Sequence, residues 1–567
     1  MGFSEVLEQV GGMGRFQVVQ LALLAIPICL MASHNLLQNF VAAVPDHRCR
    51  SRADALGNTS RQSPGNVTGK VPAEELLLPV FIPLDREGRP ERCRLFAEPQ
   101  WQFLDSNRTH EDGSSTTRPC TDGWLYSHGD VTSTIISEWD LVCSHKALKP
   151  LAQSVYMAGV LVGALVLGSL SDRLGRRAVL LGSCLLMAVA GSCAALSSSF
   201  SLYCLWRFLT GAAQSGIVLN AFSWTVEWLP TDMRSSVVIV NGYSYAAGQL
   251  LLAGLAFTIR HWRWLQFTIS APYFICFLYS WWFPESARWL IMNDKADVAV
   301  NQLKRVARLN GREAEGSKLT AATLRAGLGK EVLVTGGSHS LIDLFRTPLM
   351  RRNIFCTMCV WFACNFGYYG LVMELQGFGV NMYLLQVIFG AVDFPAKTLA
   401  ALGITYLGRR WTQASTLTLA GAVILINVCI PTELQLVRTG LAVFGKGCLS
   451  ACFSCVMLYS GELYPTVLRQ TAFGLMATMA RVGGLVAPLA RLTGERYPLV
   501  PGLLYGAVPV LAGILATLLP ETRGLALPDT IPDIESRTVT GLVGSEEQKK
   551  QEILLPETHI SLLKHTV

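Results

Sequence analysis

Apolar runs of membrane-spanning length, repeated along the chain, constrain the fold more than any other feature. The stretches Leu21 to Ala32, Leu151 to Leu170, Val237 to Phe257, Thr412 to Ile430 and Leu503 to Leu519 approach the ~20 residues that cross ~30 Å of hydrocarbon as a helix. With 51% of residues hydrophobic and 15% charged, the apolar residues are gathered in blocks, not dispersed as the core of a soluble domain requires. Twelve spans are expected, near 16–36, 151–171, 178–197, 201–225, 235–259, 264–283, 353–373, 382–406, 411–430, 437–460, 468–490 and 500–519. No small-residue cleavage pattern follows the first span, which therefore reads as a membrane helix and not as a signal peptide.

An even number of spans puts both termini on one side, and basic clusters choose that side. Arg173, Arg176 and Arg177 follow the second span, Lys295 to Arg352 joins the sixth to the seventh, and Arg409 and Arg410 follow the eighth. These connections are expected to be cytoplasmic. The net charge of +7 then reflects topology, with no case for nucleic-acid binding. The loop at 41–150 falls outside. It carries Asn-x-Ser/Thr acceptors at Asn58, Asn66 and Asn107 and four cysteines, Cys49, Cys93, Cys120 and Cys143, which suit an oxidising, glycosylating compartment and leave three pairings open. Cys356 and Cys359 have CxxC spacing but sit in an apolar span, where packing explains them better than a metal.

The chain also repeats itself. Leu174-Gly175-Arg176-Arg177 returns as Leu407-Gly408-Arg409-Arg410, offset by 233; Glu227-x-x-Pro230-x-x-x-Arg234 returns as Glu462-x-x-Pro465-x-x-x-Arg469, offset by 235; Pro284-Glu285 returns as Pro520-Glu521, offset by 236. Three motifs in one order at nearly constant spacing imply two six-helix halves. Gly168-x-x-x-Asp172-Arg173-x-Gly175-Arg176-Arg177 resembles the signature loop of the major facilitator superfamily, and the second copy departs from it with Thr405 and Tyr406 in place of Asp172 and Arg173. The expected fold is an all-α membrane protein of twelve transmembrane helices in two pseudo-symmetric six-helix bundles. Its parts are a cytoplasmic N-terminus (1–15), a first bundle (16–283), a cytoplasmic linker with short amphipathic helices on the membrane face (284–352), a second bundle (353–519) and a largely disordered cytoplasmic tail (520–567). Asp172, Arg173, Arg176, Glu227, Arg234, Arg409, Glu462 and Arg469 are charges at helix ends that can bridge the halves when their face closes, or cap helices locally.

Charges without a counterpart in the other half are not explained by a shared scaffold. Lys397, Lys446 and Arg481 correspond, at the repeat offset, to the Gly163 region, Gly211 and Ala246. Cations in mid-span cost roughly 2.5 to 3.5 kcal/mol each on insertion scales, so they face a cavity or a partner. Asp393, one turn before Lys397, is spaced to pair with it, leaving a deep balance of about plus two that favours an anionic ligand. Arg481 offers a planar, bidentate match to carboxylate or sulfate. In the first half Arg207 lies near the outer end of its span and is expected to snorkel. Aromatic walls suit an amphipathic anion: Tyr243, Tyr245, Trp361, Phe362, Phe366, Tyr368, Tyr369 and Phe453 are available, with Tyr245, Tyr369 and Phe453 chosen for the cavity.

Further stretches are more specific: Met31-Ala-Ser-His-Asn35-Leu-Leu-Gln-Asn39-Phe40, Glu138-Trp-Asp140-Leu-Val-Cys143, Gly390-Ala-Val-Asp393-Phe-Pro-Ala-Lys397 and Gly461-Glu462-Leu-Tyr-Pro465-Thr-Val-Leu-Arg469-Gln470. From Met1 to about Asp533 the chain resembles the organic anion transporters of solute carrier family 22. That resemblance implies exchange of extracellular organic anions (drugs, urate, prostaglandins, sulfated steroids) for intracellular 2-oxoglutarate at a plasma membrane, basolateral in epithelium. It also implies that Lys397, Arg481, Tyr245, Tyr369, Phe453, Asn35, Met31 and Gly242 line the anion site. Val218 and Phe222 depart from the relatives' pattern; Phe222, Tyr368, Trp361, Lys446 and Asp393 are further candidates for substrate binding. Organic cation carriers of the same fold have an acidic residue where Arg481 stands and lack the lysine at 397. The rival readings are such a cation or zwitterion carrier and a solute-sensing receptor without transport. An enzyme is disfavoured, because the spans hold no Ser/His/Asp set, metal-ligand spacing or phosphate loop, and no cofactor is expected.

Overall fold

The computed structural model describes residues 3–51, 73–85, 88–104, 116–127, 129, 132–229, 234–324, 341–373, 375–431, 433–525, 528 and 534–535. The acceptors Asn58, Asn66 and Asn107, the Arg234 side chain and residues 536–567 lie outside that set. Among the described residues twelve long helical spans run in order: α1 (Arg15–Leu36), α2 (Leu148–Leu174), α3 (Arg176–Ala195), α4 (Phe200–Glu227), α5 (Arg234–Thr258), α6 (Trp262–Ser270 continued by Pro272–Ser280), α7 (Pro348–Val372), α8 (Met382–Tyr406), α9 (Arg409–Cys429), α10 (Gln435–Leu463), α11 (Thr466–Ala490) and α12 (Val500–Ala516). By length and composition eight helices are fit to cross a membrane, and α12 is a shorter apolar helix. Helical hydrogen bonds satisfy most of each span's backbone internally, as hydrocarbon demands. Successive spans run in opposite directions, so the bundle has one end facing the long loop (the loop face) and one facing the 284–352 connection (the linker face).

Local sequence explains how these spans start, bend and touch. Thr347 caps α7, its hydroxyl accepting from Met350 N at 3.3 Å, and Asn381 caps α8, accepting from Tyr383 N at 3.0 Å and Leu384 N at 3.2 Å. Pro27 inside α1 has no N–H to offer the carbonyl of Leu23. The Tyr279 hydroxyl from α6 donates to that carbonyl at 2.8 Å instead. Helices α2 and α4 approach with backbones almost in contact: a Cβ at Gly159 would lie 2.0 Å from Phe208 O, and one at Gly211 would lie 2.2 Å from Tyr156 O. Small residues permit this in membranes, where close packing replaces hydrophobic driving force.

The repeat is visible as geometry on the linker face. Gly175 (φ +95°) and Gly408 (φ +90°) turn the chain tightly from α2 to α3 and from α8 to α9. Beside the first turn, Glu285 accepts from Arg176 N at 3.0 Å and Arg177 N at 3.2 Å. Beside the second, Glu521 accepts from Arg409 N at 2.9 Å and Arg410 N at 3.0 Å. Two orphan donors at each helix N-terminus are thereby satisfied by a carboxylate from the end of the half. A Cβ at either glycine would collide with that carboxylate.

The long loop folds into a small lobe. β1 (His47–Cys49) pairs antiparallel with β4 (Trp124–Tyr126), and β2 (Arg94–Phe96) with β3 (Thr117–Pro119). Of the three possible pairings the lobe uses Cys49–Cys120 and Cys93–Cys143. The lobe is fastened to α6 by a Glu138–Arg263 ion pair and by Trp262 Nε1 donating to Glu138 Oε2 at 2.7 Å.

The linker helix Ala296–Leu309 is amphipathic, as expected, but its apolar face is buried among protein side chains. Ala299, Val300, Leu303, Val306 and Ala307 join Val6, Leu7 and Val10 of the N-terminal segment in one core with Trp224, Trp228 and Phe283. Asn310 secures the join, accepting from Phe16 N at 2.9 Å and donating to Val10 O at 3.1 Å.

Candidate functional site

Hydrogen bonds between the two halves occur at the loop face and at mid-depth. Near the loop, Asn39 Nδ2 donates to Val372 O at 3.0 Å, and the Gln376 amide accepts from Val44 N at 2.9 Å while donating to Val44 O at 3.2 Å. Phe40 and Phe257 of the first half close on Tyr383 of the second, with ring centroids 5.5 and 5.7 Å away. Within the loop-side third of the bundle Ser154 of α2 donates to Leu485 O of α11 at 3.2 Å. The seam of α5 and α8 is joined by Gln249, Lys397 and Tyr243, whose ring stacks on Phe394 at 5.5 Å.

A cluster of polar side chains sits where these helices meet. Asn35 of α1 is 6% exposed. Its Oδ1 accepts from Tyr156 OH at 3.0 Å and from Gln214 Nε2 at 2.7 Å. The Tyr245 phenol of α5 lies against Asn35 and against Tyr368 and Tyr369 of α7, and the last two rings meet edge to face at 5.4 Å. Tyr369 packs on Gly484, where an added Cβ would come within 3.1 Å of the ring. Gly484 is one turn beyond Arg481 on α11, so the two residues share one side of that helix. Arg481 is half-buried, and no hydrogen bond or ion pair to it is found among the described residues. Glycine at 242 keeps α5 narrow opposite Lys397: a Cβ there would stand 3.4 Å from Lys397 Nζ.

The deep charges are partnered differently from the expectation. Asp393 pairs with Lys446 of α10, whose Nζ also donates to Phe389 O, and both side chains are buried. Gln249 Nε2, from the other half, donates to Asp393 Oδ2 at 2.6 Å. Lys397 instead donates to the Gly242 carbonyl across the seam. The i,i+4 spacing permits an Asp393–Lys397 contact, but the ammonium of a neighbouring helix and a neutral amide supply the hydrogen bonds that offset the carboxylate's burial. The deep balance is about plus three and not plus two, held by Lys397, Arg481 and the buried Arg207, while Lys446 and Asp393 form a closed pair.

Other expected site residues are spread over different surroundings. Trp361 is 3% exposed, its Nε1 donating to Ser460 Oγ at 2.9 Å, and so it braces α7 on α10. Phe453 packs edge-on against Trp361 at 5.7 Å and is 43% exposed. Met31 is half-buried one turn before Asn35. Phe222 is exposed on α4, eight residues or about 12 Å along the helix from Gln214. Arg207 does not snorkel: it is fully buried. Tyr156, Gln214 and Gln249 were not anticipated from sequence; as neutral polar residues inside apolar helices they are the kind of signal that could have flagged them.

The helix-end charges form networks inside each half. Arg176 bridges Asp172 at 3.0 Å and Glu227 at 3.3 Å, and Arg409 bridges Glu462 at 2.8 Å. Arg469 Nε donates to Tyr464 O at 3.3 Å, and Arg173 is exposed. In this conformation they cap and brace helices within a bundle. Burial raises the Glu285 carboxyl above its ordinary range, against the pull of its backbone N–H donors and Arg176.

Comparison with known proteins agrees with this architecture. Residues 109–530 match the family model described as sugar (and other) transporter. The chain is 53% identical over 538 residues to solute carrier family 22 member 6-A of Xenopus laevis, covering 95% of this chain and 94% of that one. It is 49% identical over 572 residues to member 6 of Danio rerio, covering 100% of both, and 50% identical over 556 residues to member 6 of Oryctolagus cuniculus, covering 98% of both. Among solved structures, the xylose transporter XylE from E. coli in an inward open conformation superposes with a TM-score of 0.54 at 17% identity, over 69% of this chain and 90% of that one. The proton:xylose symporter XylE bound to 6-bromo-6-deoxy-D-glucose gives 0.53 at 15% identity, over 90% and 98%. At such identities the structural likeness shows the fold, that of the major facilitator superfamily.

Proposed function

The chain belongs to solute carrier family 22, within the sugar (and other) transporter family, and from that premise we propose that it carries small organic anions across the plasma membrane by alternating access. The observation that carries this reading is Arg481, a guanidinium at mid-depth without a protein partner among the described residues, one turn from Gly484, on which Tyr369 of the Tyr245–Asn35 cluster packs. An always-charged planar group in a low-dielectric setting has a strong affinity for carboxylate or sulfate. The phenols and aromatic faces supply hydrogen bonds and apolar contact for the rest of an amphipathic solute. The Gly242–Lys397 contact supports a role for Lys397 at the seam, where an entering anion competes with a carbonyl for the ammonium.

The solute class extends to p-aminohippurate-like drugs, urate, prostaglandins and sulfated steroids, exchanged for an intracellular dicarboxylate such as 2-oxoglutarate. Exchange follows if an empty cavity with two uncompensated cations recloses poorly, so that return requires a second anion. The lobe at 41–150 then faces outward with glycans on Asn58, Asn66 and Asn107, and both termini face the cytoplasm of an epithelial cell at its basolateral surface. Asp172, Arg173, Arg176, Glu227, Arg234, Arg409, Glu462 and Arg469 form the latch region that rearranges when the linker face closes. A cation carrier would need an accessible carboxylate at the same depth, and Asp393 is covered by Lys446 and Gln249.

The test is uptake of radiolabelled p-aminohippurate by cells expressing the wild type or Arg481→Asp, with and without glutarate preloading. Uptake that rises with preloading and vanishes in the variant supports anion exchange. Equal uptake from loaded and empty cells removes the exchange reading, and tetraethylammonium uptake in place of p-aminohippurate removes the anion reading.

A further inference from the structure

Arg207 on α4 is fully buried, and its Nε, Nη1 and Nη2 have no hydrogen-bond partner among the described residues. One face of the guanidinium is covered by the Tyr156 ring, 4.1 Å from its carbon to the ring centroid. The edge, where five N–H donors point, is unmatched. A guanidinium keeps its proton under all ordinary conditions, so the position carries a full charge in a low-dielectric interior. The cation–π contact offsets only part of the cost of burying an unpaired ion.

The surroundings do not cancel it. Among the described residues, the titratable groups near enough to feel Arg207 are His34, Tyr156, Tyr203 and Cys204, and none of these is a carboxylate. One turn before Arg207, the Tyr203 hydroxyl donates to Gln38 Oε1 at 3.3 Å, which leaves Gln38 Nε2 as another buried donor without an acceptor. Gln153 Oε1, one turn before Tyr156, is an unpartnered acceptor, but a neutral amide leaves the charge uncancelled. The repeat supplies a control: at the offset of 235 the matching residue is Ala442, apolar and buried. The charge is therefore not part of the shared scaffold.

We propose that the edge of the Arg207 guanidinium anchors an internal anion site, separate from the solute cavity, that takes a halide-sized inorganic monovalent anion. The site lies behind the Tyr156 ring, whose hydroxyl contacts Asn35 on the cavity side. A bound anion neutralises Arg207 and holds α4 against α1 and α2. It stabilises the fold whether or not a solute is present, and its role does not depend on which solute is carried.

The experiment uses full-length protein in lipid nanodiscs and in crystals. Thermal unfolding is followed as sodium gluconate is replaced by sodium chloride or sodium bromide at constant ionic strength, and bromide anomalous scattering locates the ion. Halide raises the unfolding midpoint of the wild type, and an anomalous peak appears beside the Arg207 nitrogens. Arg207→Met abolishes both. Gln38→Leu, a milder change should Arg207→Met fail to fold, raises the halide concentration for half-maximal stabilisation about tenfold, the loss of one hydrogen bond to a charged group. Equal midpoints in halide and gluconate, or an anomalous map without a peak at Arg207, overturn the proposal and leave water as the occupant. Stabilisation by p-aminohippurate in halide-free buffer that requires Arg207 also overturns it, by assigning the guanidinium to the solute.

Discussion

Lys446 and Asp393 form an ion pair inside the second bundle, and Gln249 of the first bundle completes the carboxylate's hydrogen bonding at 2.6 Å. One side chain thus belongs both to the packing of α8 on α10 and to the seam between the halves. A carrier that alternates must break the Gln249 contact when α5 and α8 separate, while the ion pair can travel intact with its own bundle.

Removing either charge alone leaves the other buried and unpaired, at a cost of about 3–5 kcal/mol. Asp393→Asn and Lys446→Met should each lower surface expression and thermal stability markedly, and the double variant should recover most of the loss. Single variants as stable as the wild type, or losses that simply add, would show that the pair is not coupled.

Arg481 should behave in the opposite way. Because no protein group depends on it among the described residues, Arg481→Met should leave thermal stability unchanged or raised while uptake is lost. Arg481→Lys keeps the charge but not the bidentate geometry, and a lost charge-assisted hydrogen bond of roughly 1.5–3 kcal/mol corresponds to about 10- to 150-fold weaker solute binding. Solute competition in equilibrium binding measures it. Stability loss without a change in affinity would make Arg481 a packing residue.

Acidification tests the capping carboxylate. Burial raises the Glu285 carboxyl in the folded protein, so its contribution to stability is fully present below the unfolded value and is lost as pH rises through the folded one. The wild type should gain stability relative to Glu285→Gln as pH falls from neutral toward the ordinary carboxylate range. Thermal unfolding of both across that range reads the difference, and a gap that is constant, or that widens with rising pH, contradicts the assignment.

The loop lobe depends on its two bridges. Serine in place of both Cys49 and Cys120, or of both Cys93 and Cys143, should cost about 2–5 kcal/mol and reduce delivery to the surface. Removing one cysteine of a pair should be no milder than removing both. Peptide mapping of the unreduced protein should recover Cys49 with Cys120; Cys49 linked to Cys93 or Cys143 would reject the pairing.

The sequence alone determined the helical architecture and its duplication, because hydrocarbon forces each span to satisfy its own backbone and leaves a length signature. The span expected at 382–406 coincides with α8 (Met382–Tyr406), and two of the three repeated motifs reappear as matching caps around Gly175 and Gly408. The site was legible as a list of residue types, since an uncompensated cation in a membrane helix is conspicuous wherever it points. Tertiary structure decided who meets whom. Asp393 faces Lys446 and Gln249 because α10 and α5 flank α8, a fact that spacing along one helix cannot encode. Arg207 stays inside because the backbones of α2 and α4 touch at Gly159 and Gly211 and set the Tyr156 ring over its guanidinium. The four loop cysteines were paired by the same kind of information. Periodicity and hydropathy report how each segment meets its solvent, whereas partner choice depends on distances between segments remote in sequence, and these exist only once the helices have packed.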